Sequence, residues 1–128
     1  MRLLLDTCAC LWLFTNDSRL PPSARKQFQD PANEIFLSPV STWEIITKHR
    51  LGKLPLPHPP ALYIPRQREK HGIEVLPLDE ESVIQLDRLP GVHKDPFDRM
   101  LICQAIAHGL VILTPDPLIT QYPVRTAW

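Results

Sequence analysis

Three short apolar runs constrain this chain most: RLLL at residues 2–5, EIFL at 34–37 and VIL at 111–113. A strand with one solvated face alternates apolar and polar residues, whereas unbroken apolar runs suit parallel strands covered on both faces. Two weaker strand candidates lie at residues 73–76 and 124–128, and helical spacing runs over residues 7–14, 22–29, 39–49, 60–70, 80–88 and 96–108. Alternation of strand and helix along the whole chain predicts an α/β fold, a three-layer α/β/α sandwich around a mainly parallel sheet. A length of 128 residues matches one ordinary globular domain, so a single domain over residues 1–128 is expected.

Fifteen prolines are many for this length, but they punctuate boundaries. Pro22, Pro39, Pro96 and Pro117 stand at or near helix starts, where a missing N–H does no harm. The segment LGKLPLPHPP at residues 51–60 reads as an extended connector and a candidate flap over its surroundings. Lys plus Arg and Asp plus Glu each number 14, so the chain lacks the overall positive field of many nucleic-acid binders, and any such contact must be local. Three cysteines, with Cys8 and Cys10 too close for an easy bridge, argue against a disulfide framework and for a reducing, cytoplasmic setting. Asp6 interrupts the apolar N-terminal stretch, which reads as mature structure, and no apolar segment is long enough to span a bilayer, so no membrane partner is expected.

In an open parallel sheet, ligands gather beyond the carboxyl ends of the strands, where helix N-termini point. Acids concentrate there: Asp6 closes the first run, Asp116 follows the third, Glu44 lies early in the helix after EIFL, and Asp95 and Asp98 bracket Pro96-Phe97. Each has an ordinary reading. Asp6, Asp95 and Asp116 suit helix caps, Asp98 suits the first turn of its helix, and Glu44 suits a capping box with Ser41. The pair Ser38-Pro39 is the better helix start, however, which puts Glu44 past the reach of any cap. With Val40, Trp43 and Ile46 or Thr47 expected to form the apolar stripe, Glu44 lies beside buried surface and wants a cation. Asp95 suffices as a cap, which leaves Asp98 for the sheet edge and Asp95 as a reserve ligand.

Convergence of these acids would make a cation nearly obligatory. Two carboxylates ~4 Å apart repel by about 4 kcal/mol at an effective dielectric near 20. Hard oxygen donors favour Mg2+ or Mn2+ over zinc, and such an ion activates water for attack on a phosphodiester.

The segments LLLDTCACLWLF, LSPVSTWEIITKHRLGKL, HKDPFDRMLICQAIAHGL and VILTPDPLI resemble the PIN-domain ribonucleases, most closely the VapC-type toxins of bacterial toxin–antitoxin pairs, from Leu3 to Trp128. The resemblance implies a PIN-like fold and an acidic site of Asp6, Glu44, Asp98 and Asp116. It also implies Mg2+- or Mn2+-dependent endonucleolytic cleavage of RNA, restraint by a cognate antitoxin protein, and a homodimer. Beside two of the acids, Thr7 and Thr114 read as hydroxyls that would orient an acid or position a water, or as plain turn and cap residues. Cys8 and Pro115 depart from residues frequent in relatives, and neither removes an acid.

Candidate RNA contacts are Lys48, Arg50 and Lys53, with Lys94 and Arg99 flanking the third acid; solvated basic side chains at a helix end are the ordinary alternative. His93 either orients an acid or belongs to its loop. Trp12, Phe14, Leu62 and Tyr63 are expected in the core, with a partner groove as the alternative. A signalling receiver lacks support because Thr7, not a second acid, follows Asp6. A haloacid-dehalogenase-like phosphatase would need an aspartate where Cys8 stands, and a zinc module of Cys8, Cys10, Cys103 and His108 fails on spacing. A catalytically silent PIN-like domain that acts by binding a protein partner remains the alternative function.

Overall fold

The computed structural model describes all 128 residues, Met1–Trp128. β1 (Arg2–Leu5), β2 (Glu34–Leu37), β3 (Glu74–Val75), β4 (Val111–Leu113) and β5 (Thr126–Ala127) form one sheet in the order β3-β2-β1-β4-β5. Every pairing is parallel; Leu3 lies opposite both Ile35 and Val111. The two edge strands are only two residues long, shorter than the sequence runs around them suggested.

Helices α1 (Thr7–Phe14), α2 (Pro22–Gln29), α3 (Pro39–Arg50), α4 (Pro60–Lys70), α5 (Glu80–Ile84), α6 (Pro96–His108) and α7 (Pro117–Thr120) cover both faces. Residues of the central strands alternate between the two cores. Leu3, Leu5, Ile35, Leu37, Val111 and Leu113 pack with α1, α2, α4 and Ile45 of α3. Leu4, Phe36 and Ile112 face the opposite way, against Leu101, Ile102 and Ala105 of α6, Ile119 of α7 and Val40 of α3. Full burial of a leucine side chain contributes roughly 1.5–3 kcal/mol, and Leu3, Leu4 and Leu5 are all at 0% exposure, so β1 anchors both layers. The expected three-layer sandwich is therefore the observed one.

Local chemistry sets the helix ends. Ser38 Oγ accepts from the Val40 N–H with Pro39 at the first position of α3. Asp95 Oδ1 accepts from the Phe97 and Asp98 N–H groups at the start of α6, and Gly109, at φ 66°, closes that helix in the left-handed region. The helix expected over residues 80–88 splits at Gln85 into a 3-10 turn, Gln85–Arg88. Leu89 is extended ahead of Pro90, whose ring disfavours helix in the residue before it.

Two expectations are corrected. The buried face of α3 is Val40, Ser41, Glu44 and Ile45, whereas Trp43 is 60% exposed and stacks edge-on against Phe97 at 4.8 Å. Among the four aromatic and aliphatic residues assigned to core or groove, Phe14 and Tyr63 are core and meet edge-to-face at 6.2 Å. Trp12 is half-buried between Arg19 and Trp128, and Leu62 is exposed. The 51–60 connector lies over a cavity beside α1, with Leu54 and Leu56 packed against the core and His49 Nδ1 2.9 Å from the Leu54 carbonyl oxygen. No helix is long and apolar enough to cross a membrane.

Candidate metal centre

With β2 on one side of β1 and β4 on the other, the chain reverses its winding at β1, and the crevice beyond the carboxyl ends of β1 and β4 is the natural binding place. Asp6 stands at that point, 4% exposed, with its backbone N–H donating to Leu113 O and its Oδ1 accepting from the Ala9 N–H at 2.6 Å. The hydroxyl of Thr114, just past β4, donates to Asp6 Oδ2. That same Thr114 oxygen accepts from the Asp116 N–H at 3.1 Å, so one threonine aligns the first acid with the fourth. Asp116 itself caps α7 through its Oδ1, on the Leu118 N–H.

Glu44 enters from α3, 4% exposed. Thr7 Oγ1 donates to Glu44 Oε1 at 2.7 Å and lies 3.1 Å from the Ser41 hydroxyl, whose own proton is free to point back at it. Lys48, one turn along α3, pairs with Glu44 Oε2. This pair holds the Lys48 ammonium above its ordinary value, chiefly through the hydrogen bond to Glu44. Asp98, at the start of α6, keeps its side chain out of the cap that Asp95 supplies and places Oδ2 2.9 Å from His93 Nε2.

Electrostatics tie these acids together. Burial pushes the Asp6 carboxyl up from 3.8 to about 6; Thr114 and the Ala9 N–H oppose the rise, and negative Asp98 and Asp116 add to it. Asp98 is likewise raised, first by burial, against the His93 hydrogen bond, with Asp95 and Glu44 contributing repulsion. At the rim, the Cys8 thiol is pushed up to about 11, first by partial desolvation of its sulfur and then by Asp6, Glu44 and Asp98. Asp98 and Asp116 thus bear on Asp6, and Asp95 and Glu44 on Asp98. A ligand set already at ion-binding distance is tighter and different: the donor atoms of His93, Asp95 and Asp98 lie within 4.8 Å of one another. Glu44, drawn to Lys48 and Thr7, stands outside that group, as do Asp6 and Asp116.

The donor set fits a hard divalent cation. Its carboxylates are oxygen donors, burial raises two of them, so that a nearby cation would favour their ionised forms, and no thiolate takes part. The three cysteines are free, with Cys10 and Cys103 buried in opposite cores, which disposes of the zinc module. Both threonines read beside the acids do contact them, Thr114 at Asp6 and Thr7 at Glu44. Ser41, read as a capping-box partner of Glu44, instead lies against Thr7, and Tyr122 was not anticipated, its partners lying far away in the chain.

The basic residues divide. Arg50, Lys53 and Lys94 are exposed, and Lys48 is engaged by Glu44. Arg99 is used inside the chain: its Nη1 donates to Pro90 O, His93 O and the Tyr122 hydroxyl. Lys48, Lys53 and Arg19 line a cavity of about 530 Å3 between α1 and the 51–60 connector, with Thr7 and Glu44 in its wall.

The sequence matches the PIN domain over residues 3–124. Ribonuclease VapC16 of Mycobacterium tuberculosis is 47% identical over 51 residues, a stretch covering 40% of this chain and 36% of that protein. The chain therefore spans little more than a third of this curated relative in the match. Among solved structures, VapBC2 from Rickettsia felis bound to a promoter DNA fragment superposes with a TM-score of 0.77 at 15% identity, over 100% of this chain and 99% of that one. VapBC from Salmonella typhimurium bound to DNA gives 0.67 at 22% identity, over 99% and 97%. At such identities the likeness concerns the fold, and it agrees with the sheet order and the layers described above. With the family match spanning nearly the whole chain and the fold in accord, this chain belongs to the PIN domain family.

Proposed function

We propose that the protein is a metal-dependent endoribonuclease of the VapC kind, the toxin of a toxin–antitoxin pair, with Asp6, Glu44, Asp98 and Asp116 as its acidic site. The observation that carries this reading is geometric: Asp6, buried at the switch point of the sheet, is held by Thr114 from just past β4, and buried Glu44 of α3 is held by Thr7 from the start of α1. The names of the relatives support it: one is a ribonuclease, and the structural neighbours come from VapBC assemblies.

Bound Mg2+ or Mn2+ would offset the charge of the phosphodiester and favour ionisation of the attacking water. Asp6, Asp98 and Asp116 would hold the ion, and Glu44 would join from the side of α3. Thr114 holds Asp6, so little reorganisation of that acid is left for the moment of reaction, while Glu44, held at Oε1 by Thr7, would exchange Lys48 for the ion at Oε2. Lys48, Arg50, Lys53 and Lys94 would hold flanking phosphates, and such contacts position RNA without reading its sequence. The same reading makes residues 1–128 one functional domain, a homodimer in the cytoplasm, bound by a cognate antitoxin protein.

The test is cleavage of RNA by the purified protein with Mg2+, with Mn2+ and with EDTA. Cleavage is expected with either ion, none with chelator, and a loss of at least 100-fold in Asp6→Asn and Asp98→Asn. Cleavage that survives both substitutions would refute the assignment, as would a protein that cuts equally well in EDTA.

A further inference from the structure

The loop before α6 is fastened in an unusual way. Tyr122, 3% exposed, accepts at its hydroxyl from the His93 backbone N–H at 2.6 Å and from Arg99 Nη1 at 3.2 Å, and donates to His93 O at 3.3 Å. Arg99 Nη1 also reaches Pro90 O at 2.9 Å and His93 O at 3.3 Å. A loop that lacks regular structure would otherwise leave these carbonyls to water. Here one guanidinium and one phenol satisfy them together, and the imidazole is delivered onto Asp98 Oδ2 at 2.9 Å.

We propose that Arg99 and Tyr122 form a clamp whose purpose is to present His93 to Asp98, making His93 a positioning residue for the third carboxylate. The proposal rests on the metal-site reading above. With its proton on Nε2, the imidazole donates to Asp98 Oδ2 and leaves Oδ1 free to face the crevice. Without that bond, a side chain at the third position of a helix turns freely between solvent and the backbone N–H groups. Tyr122 adds a second link, because it follows α7, the helix that Asp116 caps. The clamp thereby couples the segment bearing the third acid to the segment bearing the fourth, across 23 residues of sequence between Arg99 and Tyr122. Donors that hold a metal-ligating group in place are typically worth 10–100-fold in metal affinity.

The experiment is calorimetric titration of Mn2+ into the wild type, His93→Ala, His93→Gln, Tyr122→Phe and the double variant His93→Ala/Tyr122→Phe, with thermal unfolding of each in EDTA. His93→Ala is expected to weaken Mn2+ binding at least 10-fold while its metal-free melting temperature stays near wild type. His93→Gln, which keeps a donor, should recover most of the loss. Tyr122→Phe should weaken binding too, and the double variant should be no weaker than His93→Ala alone, because the clamp acts through the imidazole. Wild-type binding by His93→Ala would overturn the proposal, as would failure of glutamine to restore affinity or additive losses in the double variant. Absence of Mn2+ binding by the wild type would instead bring down the metal-site reading itself, and this inference with it.

Discussion

Asp6 carries the largest electrostatic stress in the site, and its sign makes it measurable. Its folded value of about 6 lies above the ordinary 3.8, so protonation favours the folded state. That stabilisation is complete below about pH 4 and is lost as pH rises through about 6; the gap is worth about 3 kcal/mol. Asp98, raised as well, acts in the same direction. Asp17, lowered to about 2 by its hydrogen bonds from Arg19, titrates below this window. In EDTA, therefore, the melting temperature is expected to fall between pH 4 and 6.5, with a shallower fall in Asp6→Asn and little fall in saturating Mn2+. A melting temperature that rises over that interval in EDTA would contradict the burial and mutual repulsion assigned to these acids. Lys48 offers a second test, because it is the cation the chain itself supplies to buried Glu44. Lys48→Met should lower metal-free stability by about 1 kcal/mol, the half-exposed ammonium being screened by water. It should also increase the stabilisation gained from Mn2+, as read by thermal unfolding with and without the ion. An unchanged gain would mean that Lys48 and the ion do not share Glu44.

At the scale of elements, α6 was the most legible part of the chain and α3 the least. The start of α6 is written in adjacent residues: Asp95 as cap, Pro96 at the first position, Asp98 left over, all as observed. Asp95→Asn keeps a capping oxygen and should preserve stability, whereas Asp95→Ala should cost about 1 kcal/mol by thermal unfolding. Equal losses in both would show that the charge, and not the cap, is what matters at this position. The face of α3 was misread because periodicity ranks Trp43 above Glu44, while the fold buries Glu44. Thr7, 37 residues away, donates to one of its oxygens, and no local pattern encodes such a partner. Tyr122 was invisible for the same reason, its contacts lying 23 and 29 residues away. The short edge strands were legible as existing but not in length, since pairing with a single neighbour gives few hydrogen bonds to define their ends.

At the scale of the whole molecule, a chain with 14 basic and 14 acidic residues cannot attract RNA by net charge. On the proposed reading, Lys48 with exposed Arg50, Lys53 and Lys94 would make about four local phosphate contacts, which corresponds to a slope of about −3 in log affinity against log salt for a single strand, at about 0.7 per contact. Binding of a short RNA in EDTA across a salt series would measure it, and a slope much steeper than −4 would point to a larger basic surface than these residues make. The sheet order brings β1 and β4 side by side, and the site follows from that placement. Of the four acids proposed for it, Asp6, Asp98 and Asp116 stand just past a strand or at a helix start, where sequence signals are local, whereas the burial of Glu44 belongs to the fold. The most direct measurement is the anomalous diffraction of crystals soaked in Mn2+. A peak among the carboxylates of Asp6, Asp98 and Asp116, with Glu44 turned from Lys48 toward it, is the expected result. No peak in that crevice, or one held by His93 and Asp95 away from Asp6 and Asp116, would contradict a shared four-acid centre.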